Sequence, residues 1–242
     1  FYNGQRNGRN LGTAAEYIAL DAGLVRPLPD DVPFAAGACL GIPCMTAHVC
    51  LFSHGPIAGK TVLVTGGAGA VGHYAVQLAA WGGARVIATV SSAEKAAEAR
   101  AAGAAAVIDY RRENVAERVL AETEGRGADL AVDVDVGGNL PALADAIAAN
   151  GAIAGYASRG NPTPLLPVQT FMRRNIALHL VLLPTSAIEK RRRAQDDIGR
   201  WLAAGPRLHR IAGPYALADT VAAHEAVEAG GKRGTVVVEP WR

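Results

Sequence analysis

Thr61-Val62-Leu63-Val64-Thr65-Gly66-Gly67-Ala68-Gly69-Ala70-Val71-Gly72 decides how this chain is read. A short β-branched apolar run leads into a glycine cluster, and apolar residues then follow at helical spacing at Val71, Ala75, Leu78 and Ala79. The pattern is strand, tight turn, helix, with Gly67, Gly69 and Gly72 as G-x-G-x-x-G. Each glycine has its own task in such a motif. Gly67 is expected to let the chain turn, Gly69 to let the backbone approach a pyrophosphate, and Gly72 to let the helix pack closely on the strand. The helix N-terminus then offers N–H groups and a positive dipole end to phosphates. Between a clean strand and a clean helix, this turn reads as a dinucleotide site.

The surrounding chain continues in the same rhythm. Strands are expected at 61–65, 84–90, 105–109, 129–134, 152–157 and 176–183. Helices are expected near 70–81, 93–102, 113–123 and 139–149, with a looser stretch at 160–174. Ser91 and Glu94 have capping-box spacing before helix 93–102, and Gly103 stops it. Strands alternating with helices specify a parallel sheet covered on both faces, and six strands suit an α/β, doubly wound sheet of the Rossmann type. Before it come a polar, glycine-rich stretch at 1–10, a strand at 13–20, a proline-broken connection at 25–32 and a small-residue helical segment at 33–52 that Pro43 must start or break. After it come a helix at 186–204, a strand near 208–212, a helix at 217–229 and a strand at 235–239, all following a completed sheet.

Composition narrows the partners. The chain has 242 residues, 50% of them apolar, and a formal net charge of +2, so neither nucleic acid nor membrane is indicated. No run reaches transmembrane length. Three cysteines do not suggest a disulfide framework and favour a reducing, cytoplasmic compartment. The chain opens at Phe1 without a leader pattern and reads as starting partway through a longer protein.

The second strand chooses between dinucleotides. An acid at its end accepts bonds from the ribose hydroxyls of NAD and repels a 2′-phosphate. Here Val86–Val90 ends in Ser91-Ser92, and Lys95 follows. Two hydroxyls and an ammonium suit a phosphate monoester. Ser91 as a plain helix cap and Lys95 as a solvated lysine are the ordinary alternatives, and the missing acid turns the choice toward NADPH.

Taken together, the residues resemble the zinc-independent, zeta-crystallin-like quinone oxidoreductases of the medium-chain dehydrogenase/reductase superfamily. The resemblance is carried by Gly12–Tyr17, Leu40–Pro43 with Thr46-Ala47, Val62–Gly72, Val90–Lys95, Val107–Arg111, Ser158–Gly160 and the tail from Ala222 to Gly234. It implies that Ala68, Gly69, Ala70 and Val71 form the pyrophosphate turn, and that Ser91, Lys95 and Tyr110 hold the 2′-phosphate. Gly137, Tyr156, Ser158 and Arg159 would lie at strand ends beneath the cofactor. Leu180, Val181 and Leu182 would meet the nicotinamide amide through their backbone, with Thr46 on the nicotinamide side. It further implies remnants of a β-rich, GroES-like catalytic domain. On that reading residues 1–40 are a partial catalytic segment, 41–205 the cofactor domain and 206–242 the return to the catalytic domain, the rest being N-terminally truncated. The extra carboxylates in Val132-Asp133-Val134-Asp135-Val136 depart from the family pattern, as does Cys44.

Other constellations carry less. Cys39, Cys44, His48, Cys50 and His54 crowd together, but the spacing is not a C-x-x-C knuckle and they read as packing, so no metal is expected. Tyr17, Tyr74, Tyr110, Tyr156 and Tyr215 each lack a lysine four positions on, which excludes the Tyr-x-x-x-Lys acid of short-chain dehydrogenases. Ser91 argues against a methyltransferase, whose second strand normally ends in a carboxylate. Lys190–Arg193 heads a helix followed by Asp196 and Asp197 and reads as a solvated face. The expectation is an NADPH-dependent reductase of quinones or α,β-unsaturated carbonyls, a homodimer through the sixth strand, with no protein acid or base assigned. An alkenal or enoyl reductase and a non-catalytic NADPH-binding protein are the alternatives.

Overall fold

The structure is a computed structural model that describes residues 12–230 and 234–242; the expected loop at 1–10 lies outside them. It groups into two compact units, Thr46–Leu182 and the discontinuous pair Phe1–Met45 with Leu183–Arg242. The described chain begins irregularly and enters α1 (Phe34–Ala38), a wide π turn (Leu40–Cys44) and α2 (Met45–Phe52). Pro43 sits inside the π turn. A residue with no N–H and a ring that crowds the preceding turn forces the helix to widen there. Residues 13–16 form bends and 17–20 are irregular, with no strand. The residues of that expected strand join no ladder with the described strands.

The continuous unit carries the sheet. Its strands are β1 (Thr61–Val64), β2 (Arg85–Val90), β3 (Ala106–Asp109), β4 (Ala128–Asp133), β5 (Ile147–Gly155) and β6 (Ala177–Leu180). Their order is β3-β2-β1-β4-β5-β6, every pair parallel, so the doubly wound sheet is as expected. The order reverses between β1 and β4, and that switch opens a crevice at the carboxyl ends of the strands. Connecting helices are α3 (Ala70–Trp81), α4 (Ala93–Ala101), α5 (Val115–Glu122), α6 (Val136–Ala146) and α7 (Val168–Arg174). β1 is buried along its whole length, as a central parallel strand must be. Leu63, Ile87, Ile108, Val119, Leu143 and Ile153 fill one continuous core.

Several boundaries differ from expectation: the sixth strand, expected at 176–183, covers Ala177–Leu180, and the strand expected near 208–212 covers Ile211–Ala216. α6 starts at Val136 instead of 139, because Gly137 and Gly138 enter the helix rather than ending a turn. β5 starts at Ile147, five residues early, and its register with β4 shifts where Asn150 takes φ 62°. The irregularity absorbs residues that alternation alone assigns to a loop.

Around the glycine turn the residues share the work differently from the motif. Gly66, not Gly67, takes the left-handed conformation, at φ 63°. Gly67 is small for another reason: a Cβ there would lie 2.7 Å from the Cβ of Ala88 on β2. A Cβ on Gly72 would collide with the carbonyl oxygen of Gly66 and come within 2.8 Å of its carbonyl carbon. α3 therefore rests directly on the turn that precedes it.

In the discontinuous unit, α8 (Ile188–Ala203) is followed by β7 (Ile211–Ala216), α9 (Thr220–Glu228) and β8 (Thr235–Glu239). β7 and β8 pair in parallel. From the basic head of α8, Arg193 pairs with Asp197 at 3.6 Å; Arg200 near the end of the helix meets the same carboxylate, and Arg26 pairs with Asp196 at 3.4 Å. No helix among the described residues is long and apolar enough to cross a membrane.

Two alanine substitutions should move stability in opposite directions. Gly72→Ala places a methyl against fixed backbone and should cost about 1–3 kcal/mol, outweighing a helix-propensity gain of about 1 kcal/mol. Gly199→Ala, in α8 with nothing within 4 Å of the added methyl, should gain about 0.5–1 kcal/mol. Urea denaturation midpoints read both. A stable Gly72→Ala would mean that α3 does not rest on the turn.

Candidate dinucleotide site

Parallel pairing brings the six strand ends to one side of the sheet, with the glycine turn at their centre. The turn is held from both flanks. Gly66 N–H donates to Thr89 Oγ1 at 3.1 Å and Gly67 N–H to the Thr89 carbonyl at 2.9 Å. Gly69 is the N-cap of α3, has no side chain with which to cap it, and its N–H turns back to the Gly66 carbonyl at 2.8 Å. The N–H groups of Ala70 and Val71 open a twelve-residue helix whose dipole adds positive potential there. This is a cradle made by the absence of side chains, and it fits a pyrophosphate.

At the next strand ends the capping assignment changes. Ser92, not Ser91, is the N-cap of α4, its Oγ accepting from Lys95 N–H at 3.3 Å. Ser91 is thereby released, and its Oγ accepts from Lys95 Nζ at 3.0 Å. Val90 pairs with Asp109, so Ser91 and Tyr110 each stand one residue beyond that pair on neighbouring strands. Tyr110 is half exposed. β2 ends without a carboxylate, and Asp109 at the end of β3 is occupied by Arg111 N–H at 3.1 Å and Arg112 at 3.7 Å.

Sequence reasoning noticed Asp133 only as a departure, yet it organises the crevice. It ends β4 fully buried. Thr65 Oγ1 donates to its Oδ1 at 2.6 Å, Asn139 Nδ2 to the same oxygen at 2.9 Å, and Asp135 N–H to Oδ2 at 3.0 Å. Thr65 Oγ1 in turn accepts from Val134 N–H at 2.9 Å. The turns after β1 and β4 are tied through one carboxylate. Burial pushes its pKa up, while the Thr65 hydroxyl, the Asn139 amide and the Asp135 N–H hold it back. The signal in the sequence was a polar residue inside an apolar strand, which must find partners when buried.

The ends of β5 and β6 hold most of the remaining candidates. Gly137 N–H donates to Ser158 Oγ at 3.2 Å, and Ser158 donates to the Asn161 carbonyl at 2.7 Å. A Cβ on Gly137 would strike Asn161 and lie 2.5 Å from Ser158 Oγ, so this glycine is required by close approach. An apolar cavity of about 410 Å³ opens here, lined by Val136, Leu140, Tyr156, Ser158, Leu180 and Leu182 among others, with Val181 also on its wall. Val181 N–H is bound to the Gly155 carbonyl at 2.8 Å. Burial raises the Tyr156 hydroxyl far above its ordinary pKa, with Cys50 and Asp133 adding to the shift, so it stays protonated. Arg159 is exposed on the loop after β5, and Thr46 is buried in the first turn of α2. Neither is among the residues lining the cavity beside Tyr156.

The cysteines behave as small buried groups. All three are buried and outside any disulfide; burial pushes Cys50 up to about 12, and burial with Cys39 nearby raises Cys44. His48 lies against the Phe52 ring at 4.7 Å, and His54 stacks on His179 at 3.4 Å. Among the described residues no three His, Cys, Asp or Glu side chains converge as a metal site would require.

A doubly wound sheet with a side-chain-free turn at its switch point defines a dinucleotide-binding fold. The family described as zinc-binding dehydrogenase matches residues 70–195, more than half of the chain. The chain belongs to that family, and its relatives place it with the quinone oxidoreductases of the medium-chain dehydrogenase/reductase superfamily. It is 29% identical to a quinone oxidoreductase of Pseudomonas aeruginosa over 95% of this chain and 72% of that protein. It is 38% identical to an NADPH-dependent alkenal/one oxidoreductase of Arabidopsis thaliana over 44% of this chain and 28% of that one. A mycobacterial protein solved with NADPH superposes with a TM-score of 0.81 at 32% identity, over 90% of this chain and 70% of its own.

The raised pKa of Asp133 has a consequence for stability. The folded state binds this proton more tightly than the unfolded chain, so the contribution is complete below about pH 4, the unfolded aspartate value. It is lost as pH rises toward the raised folded value. Asp133→Asn removes the titration, so the variant should be worst relative to wild type at low pH and close part of the gap by pH 8. Urea midpoints at several pH values check this, and a pH-independent gap would mean Asp133 does not titrate in that window.

Proposed function

We propose that this chain is an NADPH-dependent oxidoreductase that reduces quinones or α,β-unsaturated carbonyls by hydride transfer without zinc. The observation that carries the cofactor choice is the Lys95 ammonium on Ser91 Oγ, 3.0 Å apart at the end of a strand that has no carboxylate. A phosphate monoester in place of a 2′-hydroxyl meets an ammonium, a hydroxyl and the Tyr110 phenol there. When bound, the dihydronicotinamide supplies the hydride. The chain's own task is to bind, orient and exclude water. In this reading Ala68, Gly69, Ala70 and Val71 hold the pyrophosphate by backbone N–H groups. Gly137, Tyr156, Ser158 and Arg159 bound the nicotinamide half, with the backbone of Leu180–Leu182 and with Thr46. The apolar wall beside Tyr156 keeps water from the transferring hydrogen.

The reading without zinc is supported by the geometry: among the described residues no three His, Cys, Asp or Glu side chains converge as a zinc site needs. Free thiols also suit a reducing compartment such as the cytoplasm. The discontinuous unit corresponds, on this reading, to part of the substrate-side domain. An alkenal reductase is the nearest second reading, favoured by the identity to the Arabidopsis enzyme. A protein that only holds NADPH is the other, and turnover separates it: a panel of quinones and enones with NADPH should show reduction of at least one acceptor class.

Lys95→Glu should cost about 1.5–3 kcal/mol of NADPH affinity, the size of a hydrogen bond to a charged group, with little effect on NADH. Fluorescence titration with both cofactors measures it, and equal losses would place Lys95 in stability rather than in recognition.

The same reading makes the chain a homodimer through β6. That strand is the sheet edge, and Leu180 and Leu182 on and beside it are 72% and 53% exposed. An apolar open edge invites a partner strand, and a two-fold axis satisfies both copies at once. Leu180→Lys should shift the mass in light scattering toward a monomer while leaving far-UV circular dichroism unchanged; a folded variant that stays dimeric would put the interface elsewhere.

A further inference from the structure

Asp135 occupies the N-cap of α6, where a carboxylate ordinarily accepts from the N–H groups of its own first turn. It makes no such bond. Its Oδ1 accepts instead from Gly160 N–H, 2.9 Å away and 25 residues further along the chain. The opening N–H groups of the helix are met from the same loop, Val136 N–H donating to the Ala157 carbonyl at 3.0 Å and Gly137 N–H to Ser158 Oγ at 3.2 Å. The start of α6 and the 157–161 loop thus exchange hydrogen bonds in both directions. We infer that Asp135 is a positioning residue whose carboxylate latches this loop to α6 and so fixes one wall of the apolar cavity beside Tyr156.

The surroundings are shaped to this carboxylate. Gly138 on α6 and Gly160 in the loop flank its Oδ2, and a Cβ on either would lie 2.5 Å from that oxygen. The three atoms nearest to a Cβ added at Gly160 all belong to Asp135. Two absent side chains therefore leave a seat for one carboxylate. Asp135 is anchored in turn by its own N–H, which donates to Asp133 Oδ2 at 3.0 Å, so the latch starts from the buried group that ties the turns after β1 and β4. Beyond it the loop is drawn in by Ser158 Oγ donating to the Asn161 carbonyl at 2.7 Å, and by Thr163 N–H donating to Asn161 Oδ1 at 3.1 Å. Ser158, Pro162, Pro164 and Leu166 of this segment line the cavity. The segment belongs to no strand, and side-chain hydrogen bonds take the place of a ladder in holding it. On the proposed function this wall borders the nicotinamide half, so the latch acts on turnover and not on the phosphate ends of the cofactor. That consequence rests on the NADPH reading, whereas the latch itself does not.

Trypsin reads the latch directly, because the exposed Arg159 precedes the amide that Asp135 holds, and cleavage there tracks the open population of the loop. On the whole chain, cleavage of the Arg159–Gly160 bond, followed by mass spectrometry, should be about fivefold faster in Asp135→Ala, a modest gain because the lost bond is open to solvent. Asp135→Asn keeps an acceptor oxygen and should recover most of the protection. Gly160→Ala disturbs the same contact from the other side with Asp135 intact, and it too should speed cleavage. In the Asp135→Ala background it should add nothing, since the new methyl then has room. Turnover of menadione with NADPH should follow the same order. The kcat should fall about fivefold in Asp135→Ala and in Gly160→Ala and be largely restored in Asp135→Asn, with NADPH affinity by fluorescence titration within about twofold throughout. Unchanged cleavage in both single variants, or additive effects in the double variant, would overturn the latch. Faster cleavage with unchanged kcat, or a lowered urea midpoint with unchanged kcat per folded chain, would overturn the positioning role and leave the NADPH reading standing. A wild type that binds NADPH and reduces no quinone or enone would overturn the oxidoreductase reading and the positioning role with it, while the cleavage rates would still decide the latch.

Discussion

The crevice depends on one hydrogen bond, from Thr65 Oγ1 to the buried carboxylate of Asp133 at 2.6 Å. In a doubly wound sheet the connections after the two strands at the switch point leave to opposite faces of the sheet. The β1–β4 ladder sets Val64 beside Val132 and so brings their following turns together. Here a side chain from the first residue after β1 and one from the last residue of β4 meet. Asn139 on α6 and the N–H of Asp135 complete the set. A buried carboxylate with no cation beside it is tolerable only when donors surround it, and three do. The same donors become the geometry of the site, because each is fixed by giving its hydrogen to Asp133.

The glycine turn is the second constraint, and it works by exclusion. α3 can lie against Gly66 only because Gly72 has no side chain, and β2 can stay close to the turn only because Gly67 has none. The first places a helix dipole and its opening N–H groups at the crevice; the second brings Thr89 near enough to bind the turn at 2.9 and 3.1 Å. Stability and site geometry therefore rest on the same absent methyl groups.

Most of the sheet was legible because parallel strands are buried on both faces and read as apolar runs, as β1 and β4 do. Where the reading missed, a local rule lost to a contact distant in sequence. Residues 13–20 have strand composition but join neither described sheet. Ser91 has cap spacing, yet Ser92 caps, and the difference matters because it hands Ser91 Oγ to Lys95. Gly66 takes the left-handed turn that the motif assigns to Gly67. Periodicity shows which face a residue joins, whereas Asp133, Asn139 and Thr65 are brought together across 68 positions of sequence by the β1–β4 pairing, which no local pattern contains.

Burial also sets what the chain can do chemically. Tyr156 and the thiols of Cys44 and Cys50 are all driven toward their protonated forms. Burial acts on Asp133 in the same direction, opposed by its three donors. Groups held protonated cannot serve as bases near neutrality, but they can donate hydrogen bonds and exclude water. An apolar cavity at the ends of β5 and β6, a backbone cradle at the turn and a single ammonium at the end of β2 form a surface that orients a bound reactant and leaves bond-making to it. Chemistry of that kind needs a ligand carrying its own reducing equivalent. A dihydronicotinamide satisfies that requirement within this fold without asking any side chain to change its protonation state.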